Sequence, residues 1–426
     1  MPYERQRGVI SELYKALAPQ FAIELWDGTR LGPATGPCLV INDPYILGNV
    51  LRSPRFTTLA GLWIDRHVDV KDGTLFDLAA LRTRGLKGGK LRKKLPIRYL
   101  FRNFTAVWAR GTPQTYRALQ GTHAFVSGSD KAAIGHHYDV SNRFYRLFLD
   151  QRMVYTCGYF TDWSNDLDQA QHDKLEISCR KLRLKPGDRL LDIGCGWGAL
   201  LIHAVENFGV TGVGVTLSDA QAELAREHIA EKGLEKQITI HLRSYEDIDG
   251  PFDKISSIGM FEHVGSANYD TYFAKIRQLL KPGGLYLHHA ITRRMKRSDR
   301  AFKRKSPEHR ALVKYIFPGG ELDHLGMSIA NLEKHGFEVH DVENWREHYG
   351  RTCRFWANRL DARFDEAVAE VGEAKARLWY LYLFGCALAF ERGSVRVNQT
   401  LASKRVRGPS GLPPTRADLY RDQTKR

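Results

Sequence analysis

One segment constrains the fold more than any other: DRLLDIGCGWGALLIHAVENFG, residues 188–209. A short apolar run from Arg189 to Ile193 predicts a strand, Gly194, Gly196 and Gly198 predict a tight turn, and the amphipathic remainder predicts a helix. Glycine at such a turn lets the backbone take a positive φ and pass close to a ligand. From Lys185 onward, β-branched or Leu-rich runs keep alternating with helical patterns, which predicts βα units around a mostly parallel sheet. The expected fold class is α/β, with a Rossmann-like sheet.

A GxGxG turn alone serves NAD, FAD and S-adenosylmethionine (SAM) sites alike. A dinucleotide fingerprint expects an acid about 20 residues on, at the end of the next strand. Here that end reads Gly214-Val215-Thr216-Leu217-Ser218, without one. Asp192 instead stands just before the first glycine, where a carboxylate can accept from the cationic amino-acid end of SAM. The pattern favours SAM. Ser218 and Gln221 fit a capping box that starts the next helix, and Gln221 equally fits a contact to the ribose. After a third strand, QITIHL, comes Arg243-Ser244-Tyr245-Glu246, where Tyr245 is either a stacking surface for adenine or a core aromatic.

The chain has 426 residues, long enough for a catalytic and an accessory domain. Residues 1–120 alternate short apolar runs with turns such as DGTR and GPATGP and carry no chemical motif; they read as a smaller N-terminal accessory domain. Gly111 to Asp130 reads as a connection or lid, residues 121–403 as the catalytic domain, and 404–426 as an extended, partly ordered basic tail. Leu378 to Phe390 is too short to span a bilayer and predicts a core helix. The N-terminus lacks a signal-peptide pattern, so a cytoplasmic protein is expected. The cysteines show no CxxC or zinc spacing, so they read as thiols and no metal is expected.

A net charge of +16 predicts attraction to polyanions. From Arg82 to Arg102 there are nine Lys/Arg and no acid, interleaved with Leu, Ile, Tyr and Phe. That mixture suits an anionic phospholipid bilayer surface, on the inner face of the membrane; the plainer alternative is a solvated helix face. Nucleic-acid motifs are lacking, and no nucleic-acid partner is expected.

Together with HHYDVSNRFYRLFLDQRMVYTCGYF, GVTLSDAQ, FDKISSIGMFEHVG, GGLYLHHAIT, NYDTYF, KYIFPGG and HYGRTCRFW, the glycine segment resembles the cyclopropane-fatty-acyl-phospholipid synthases and the related mycolic acid methyltransferases, over about residues 125–400. The resemblance implies SAM-dependent one-carbon transfer to the double bond of an unsaturated phospholipid acyl chain. It places SAM against Tyr155, Thr156, Asp192, Gly194, Gly196, Thr216, Leu217, Gln221, Ser244 and Tyr245. It also implies a bicarbonate ion held by Cys157, Glu262, His289, the backbone of Ile291, and Tyr349, to deprotonate a carbocation on the way to a cyclopropane ring. The added N-terminal domain resembles the phospholipid-acting branch, in which it contributes lipid contact and dimerisation, so a homodimer is expected.

The sequence departs from that pattern in places. His289-Ala290-Ile291-Thr292 stands where His-Thr-Ile-Gly is common, and the basic run RRMKRSDRAFKRK follows it. Cys353 takes a position usually apolar, and Asn398 one where an aromatic is common, which bears on the acyl pocket. Relatives ending in a methyl or methylene branch share nearly all these motifs, and a methyltransferase of soluble small molecules is a further alternative.

Overall fold

The structure of the protein, a computed structural model, describes residues 3–53, 56–81, 96–109, 140–304 and 321–420. The expected linker at 111–130, the motif KYIFPGG and most of the basic stretch from Arg82 lie outside the described residues.

The chain forms two compact units. Among the described residues the first comprises 3–109 and Gly372–Phe384, and the second 140–304, 321–371 and 385–420. The first unit is thus completed by a segment far along the chain. Its strands β1 (Ala22–Leu25), β2 (Arg30–Leu31), β3 (Cys38–Ile41) and β4 (Val68–Lys71) form a sheet in the order β2-β1-β3-β4, over a core of Ile10, Leu25, Ile41, Ile46 and Leu62. Arg377 closes it: the guanidinium lies 4.0 Å over the Trp63 ring and donates to the Trp63 carbonyl at 2.7 Å. Arg377 belongs to the helix Glu373–Glu391, which contains the apolar stretch read as a core helix. Among the described residues no helix is long and apolar enough to cross a membrane.

The second unit is built on β5 (Arg189–Ile193), β6 (Thr211–Thr216), β7 (Ile238–Leu242), β8 (Phe252–Ile258), β9 (Leu280–Arg293), β10 (Phe337–Asn344) and β11 (Val395–Lys404), in the order β10-β11-β9-β8-β5-β6-β7. Pairs from β7 through to β9 are parallel; β11 runs antiparallel to both β9 and β10. The expected mostly parallel α/β sheet is therefore present. Its two faces bury Leu190, Leu201, Leu285 and Leu287 on one side and Leu191, Ile255, Tyr286 and Phe273 on the other. Strands covered on both faces read as near-continuous apolar runs, and RLLDI is legible as a strand for that reason.

Residues 405–420 are seated on the second unit: Leu419 is buried, its carbonyl accepts from Arg180 at 3.0 Å, and Asp418 pairs with Arg183 at 3.2 Å. Buried Leu419, a single apolar residue among basic ones, supplies the anchor that composition concealed.

Candidate active site

The C-terminal ends of β5 and β6 are where an open α/β sheet presents backbone to a ligand. Gly194, Gly196 and Gly198 all hold positive φ, at 78°, 55° and 84°. A Cβ at Gly194 would also come within 2.9 Å of Met260 Cβ, so this position is closed to side chains twice over. The turn opens into a cavity lined by Tyr155, Thr156, Asp192, Gly194, Gly196, Thr216, Leu217, Gln221, Ser244 and Tyr245. These are the residues that the resemblance assigns to SAM, drawn together from four separate segments.

Asp192 is 4% exposed and accepts from Ser256 Oγ at 2.7 Å. Burial pushes its carboxyl up to about 6, against the pull of that bond and of Lys174. Thr216 Oγ1 donates to Gln221 Oε1 at 2.8 Å, and Ser218 Oγ accepts from the Gln221 amide at 3.4 Å. Ser218 therefore caps the helix, but the reciprocal half of the capping box is missing, because the Gln221 side chain is turned to Thr216 at the cavity wall. Tyr245 packs edge-on to Tyr272 at 5.3 Å, and Tyr155 lies 5.1 Å from Trp356 and 5.3 Å from Tyr145.

Sequence reasoning missed Lys174, which lines the same cavity. It is 3% exposed, donates to Thr156 Oγ1 at 3.1 Å, and is pulled down to about 8 by burial, offset by Asp150 and Asp192. A signal was present: in the helix Leu167–Lys181 the buried positions Ala170, Gln171, Lys174, Leu175 and Ser178 follow one face, and Lys174 sits in the middle of it.

The second predicted group lies beside this cavity. Thr156 and His263, on its wall, are chain neighbours of Cys157 and Glu262. Glu262 is buried, and the Ile291 amide donates to its Oε1 at 2.6 Å. Burial pushes the carboxyl up to about 7 despite that bond, and Oε2 is buried with no hydrogen-bond partner. His289, 1% exposed on β9, has Nδ1 3.3 Å from Gln399 Nε2, while its own Nε2 is buried without a partner. Burial, then the nearby Lys174 and Lys181, hold this imidazole well below the ordinary histidine range. The Tyr349 hydroxyl is raised well above the tyrosine range by burial, then by Cys353, Cys157 and Glu262 around it. Cys157 is a buried thiol whose Sγ lies 3.2 Å from the Gly158 carbonyl and 3.8 Å from that of Trp345, the ring of which meets His289 edge-on at 5.2 Å. Burial drives its ionisation far up, so no thiolate forms near neutrality.

The backbone of Ile291, which the resemblance sets beside the anion, donates its N–H to Glu262 and so orients the carboxylate. Two departures in the sequence also prove to be partners: Asn398 Nδ2 donates to Thr292 Oγ1 at 2.9 Å, and Asn344 donates to Asn398 Oδ1 at 2.8 Å. Polar groups that could not be buried singly satisfy one another.

Residues 127–400 match the family described as mycolic acid cyclopropane synthetase. A protein of Pseudomonas putida named "Probable fatty acid methyltransferase" is 38% identical over 405 residues, covering 94% of this chain and 96% of its own length. The cyclopropane-fatty-acyl-phospholipid synthase of Escherichia coli K12 is 39% identical over 291 residues, 68% of this chain and 72% of that protein. Among solved structures, the cyclopropane synthase MmaA2 of Mycobacterium tuberculosis superposes with a TM-score of 0.62 at 33% identity, over 66% of this chain and all of its own. The mycolic acid cyclopropane synthase CmaA1, solved with S-adenosylhomocysteine and CTAB, gives 0.61 at 36% identity, over 64% of this chain and 98% of its own. With the glycine turn, the Asp192 wall and this breadth of match, the chain belongs to the mycolic acid cyclopropane synthetase family of SAM-dependent C-methyltransferases.

Proposed function

We propose that the protein adds one carbon from SAM to the double bond of an unsaturated acyl chain in a membrane phospholipid, and that the product is a cyclopropane ring. The observation that carries this reading is that Glu262 Oε2 and His289 Nε2 are both buried without partners, with Glu262 held by Ile291, two residues along β9 from His289. Buried polar groups are normally paired, and a carboxyl and an imidazole left open together suit a small bridging oxyanion. Bicarbonate fits that pair, and when bound it supplies the base for the proton lost on ring closure. An alkene is a weak nucleophile and a carbocation is destroyed by water, so the chain's own residues must align and keep dry. Buried Trp345 and Trp356, with Phe390 stacked on Tyr349 at 4.4 Å, exclude water, and Ile291 fixes Glu262. Asp192 and Tyr245 hold the two ends of SAM.

The bilayer reading is supported by the helices Ile97–Arg102 and Phe104–Trp108, where Ile97 is 59% and Phe101 80% exposed, next to the basic stretch. Beyond His289 and Ile291 on β9, Arg294, Lys296 and Arg297 are also exposed. Both features suit a peripheral protein on the inner face of the membrane, and the N-terminal unit is the expected surface for a homodimer. A second reading, a methyl- or methylene-branched product, draws support from the Thr292–Asn398 pair, which alters polarity close to His289 in sequence.

The test of substrate class is transfer of labelled methyl from SAM. Label should enter mono-unsaturated phosphatidylglycerol vesicles and should not enter saturated vesicles, soluble fatty acids or amines. Efficient labelling of a soluble acid or amine without a bilayer would overturn the phospholipid assignment.

A further inference from the structure

We infer that Gln399, oriented by Lys181, fixes the ring proton of His289 on Nε2, so that His289 acts as a hydrogen-bond donor to the bound anion and not as the base. This rests on the anion reading above.

The chain of contacts leaves little choice of orientation. Lys181 Nζ lies 2.7 Å from the Gln399 side-chain oxygen. An ammonium only donates, so the atom it meets must be the amide oxygen, whichever way an amide is first drawn. Gln399 Nε2, which only donates, is then left facing His289 Nδ1 at 3.3 Å and Ser178 Oγ at 3.4 Å. A ring nitrogen that receives a donor must offer its lone pair, so Nδ1 carries no hydrogen. An imidazolium would set N–H against N–H there, and burial with two nearby lysines already disfavours it. The single proton is therefore on Nε2, the atom that is buried without a partner.

Lys181 is itself held firmly. It is 1% exposed, paired with Glu343, and lies 5.0 Å from the centre of the Trp345 ring, the ring that His289 meets edge-on. The β9–β11 ladder sets His289 opposite Gln399 in register, so backbone pairing fixes the two side chains on the same face. Gln399 and Lys181 are positioning residues, acting through His289. The division of labour follows: Glu262 and the Nε2–H grip the anion, and the proton leaving the new methyl goes to the anion.

The experiment uses full-length protein labelled with [15N]histidine, reading two-bond 1H–15N correlations. His289 is identified by the signals lost in His289→Gln, and SAM titration verifies the fold of each variant. Wild type should show His289 as the Nε2–H tautomer. In Gln399→Glu a carboxylate faces Nδ1, so the proton should move to Nδ1 and turnover should fall by about tenfold or more, the usual cost of losing a partner that orients a ligand-binding histidine. Lys181→Met frees the amide to turn and should add an Nδ1–H population, whereas Lys181→Arg, which keeps a donor on the Gln399 oxygen, should retain the wild-type tautomer. An Nδ1–H or doubly protonated His289 in wild type, or an unchanged tautomer in a SAM-binding Gln399→Glu, overturns the inference. Adding sodium bicarbonate should shift the Nε2–H signal; a correct tautomer that does not respond contradicts the anion reading alone.

Discussion

The Ile291 amide donates to Glu262 Oε1 at 2.6 Å, which commits one carboxyl oxygen to the backbone of β9 and leaves Oε2 for the reaction. Glu262→Gln keeps the shape and can keep that bond, but presents an uncharged group where Oε2 stood. We predict that SAM affinity measured by calorimetry stays near wild type while single-turnover rate falls by about two to three orders of magnitude. Cys157→Ser should be milder, because a hydroxyl suits the same niche and no thiolate is used. Loss of activity in Cys157→Ser with near-normal turnover in Glu262→Gln would replace this account with a cysteine-centred one.

The same carboxyl predicts a pH effect on the ligand-free protein. Burial raises Glu262 from 4.5 to about 7, so its protonated form is the one favoured by folding. That contribution is fully present below about pH 4.5 and is lost as pH rises to about 7, worth on the order of 3 kcal/mol at 1.36 kcal/mol per unit. Glu262→Gln lacks it. The stability of wild type relative to Glu262→Gln, from denaturant melts, should therefore fall between those pH values and level off above; a flat difference contradicts the assigned burial.

Asp192 should govern SAM affinity. Asp192→Ala and Tyr245→Ala should each weaken binding, the first by about 1.5–3 kcal/mol for a charged hydrogen bond and the second by about 0.5–1.5 kcal/mol for stacking. In wild type, affinity should decline as pH falls below about 6, because the ionised Asp192 is the binding form. Lys174→Met removes a cation that favours that form and should move the decline to higher pH. Calorimetric titrations across pH read both effects, and an unchanged profile in Lys174→Met would remove Lys174 from the site.

Bilayer attraction should depend on the basic stretch. Replacing Lys90, Arg92, Lys93 and Lys94 by Gln should weaken cosedimentation with anionic vesicles by on the order of 1 kcal/mol per surface-near charge and flatten its salt dependence. Phe101→Ser should weaken it further at high salt, where the apolar contribution remains. Unaltered binding in both would leave the stretch a solvated face.

What the sequence made legible was local. The cofactor wall follows from strand ends and their turns, and Asp192, Ser218 and Tyr245 each announce themselves within a few residues of a predicted strand. Lys174 was concealed because a lysine in an amphipathic helix usually faces water, and only its place among Ala170, Gln171 and Ser178 marks it as buried. Arg377 completing the N-terminal unit, and Lys181 and Gln399 reaching His289, depend on contacts between segments more than a hundred residues apart. No periodicity encodes such pairs. The pairing of Gln399 with His289 follows from the antiparallel insertion of β11 between β9 and β10, which propensity does not foretell.

The most direct test of the account is the product itself. Purified protein incubated with [13C]methyl-SAM and mono-unsaturated phospholipid vesicles, followed by NMR of the extracted acyl chains, should show the labelled carbon as a cyclopropane methylene, with turnover that slows when bicarbonate is depleted and recovers when it is restored. Label found instead in a methyl branch or an exocyclic methylene, with turnover indifferent to bicarbonate, would contradict ring closure and the role assigned to Glu262 and His289.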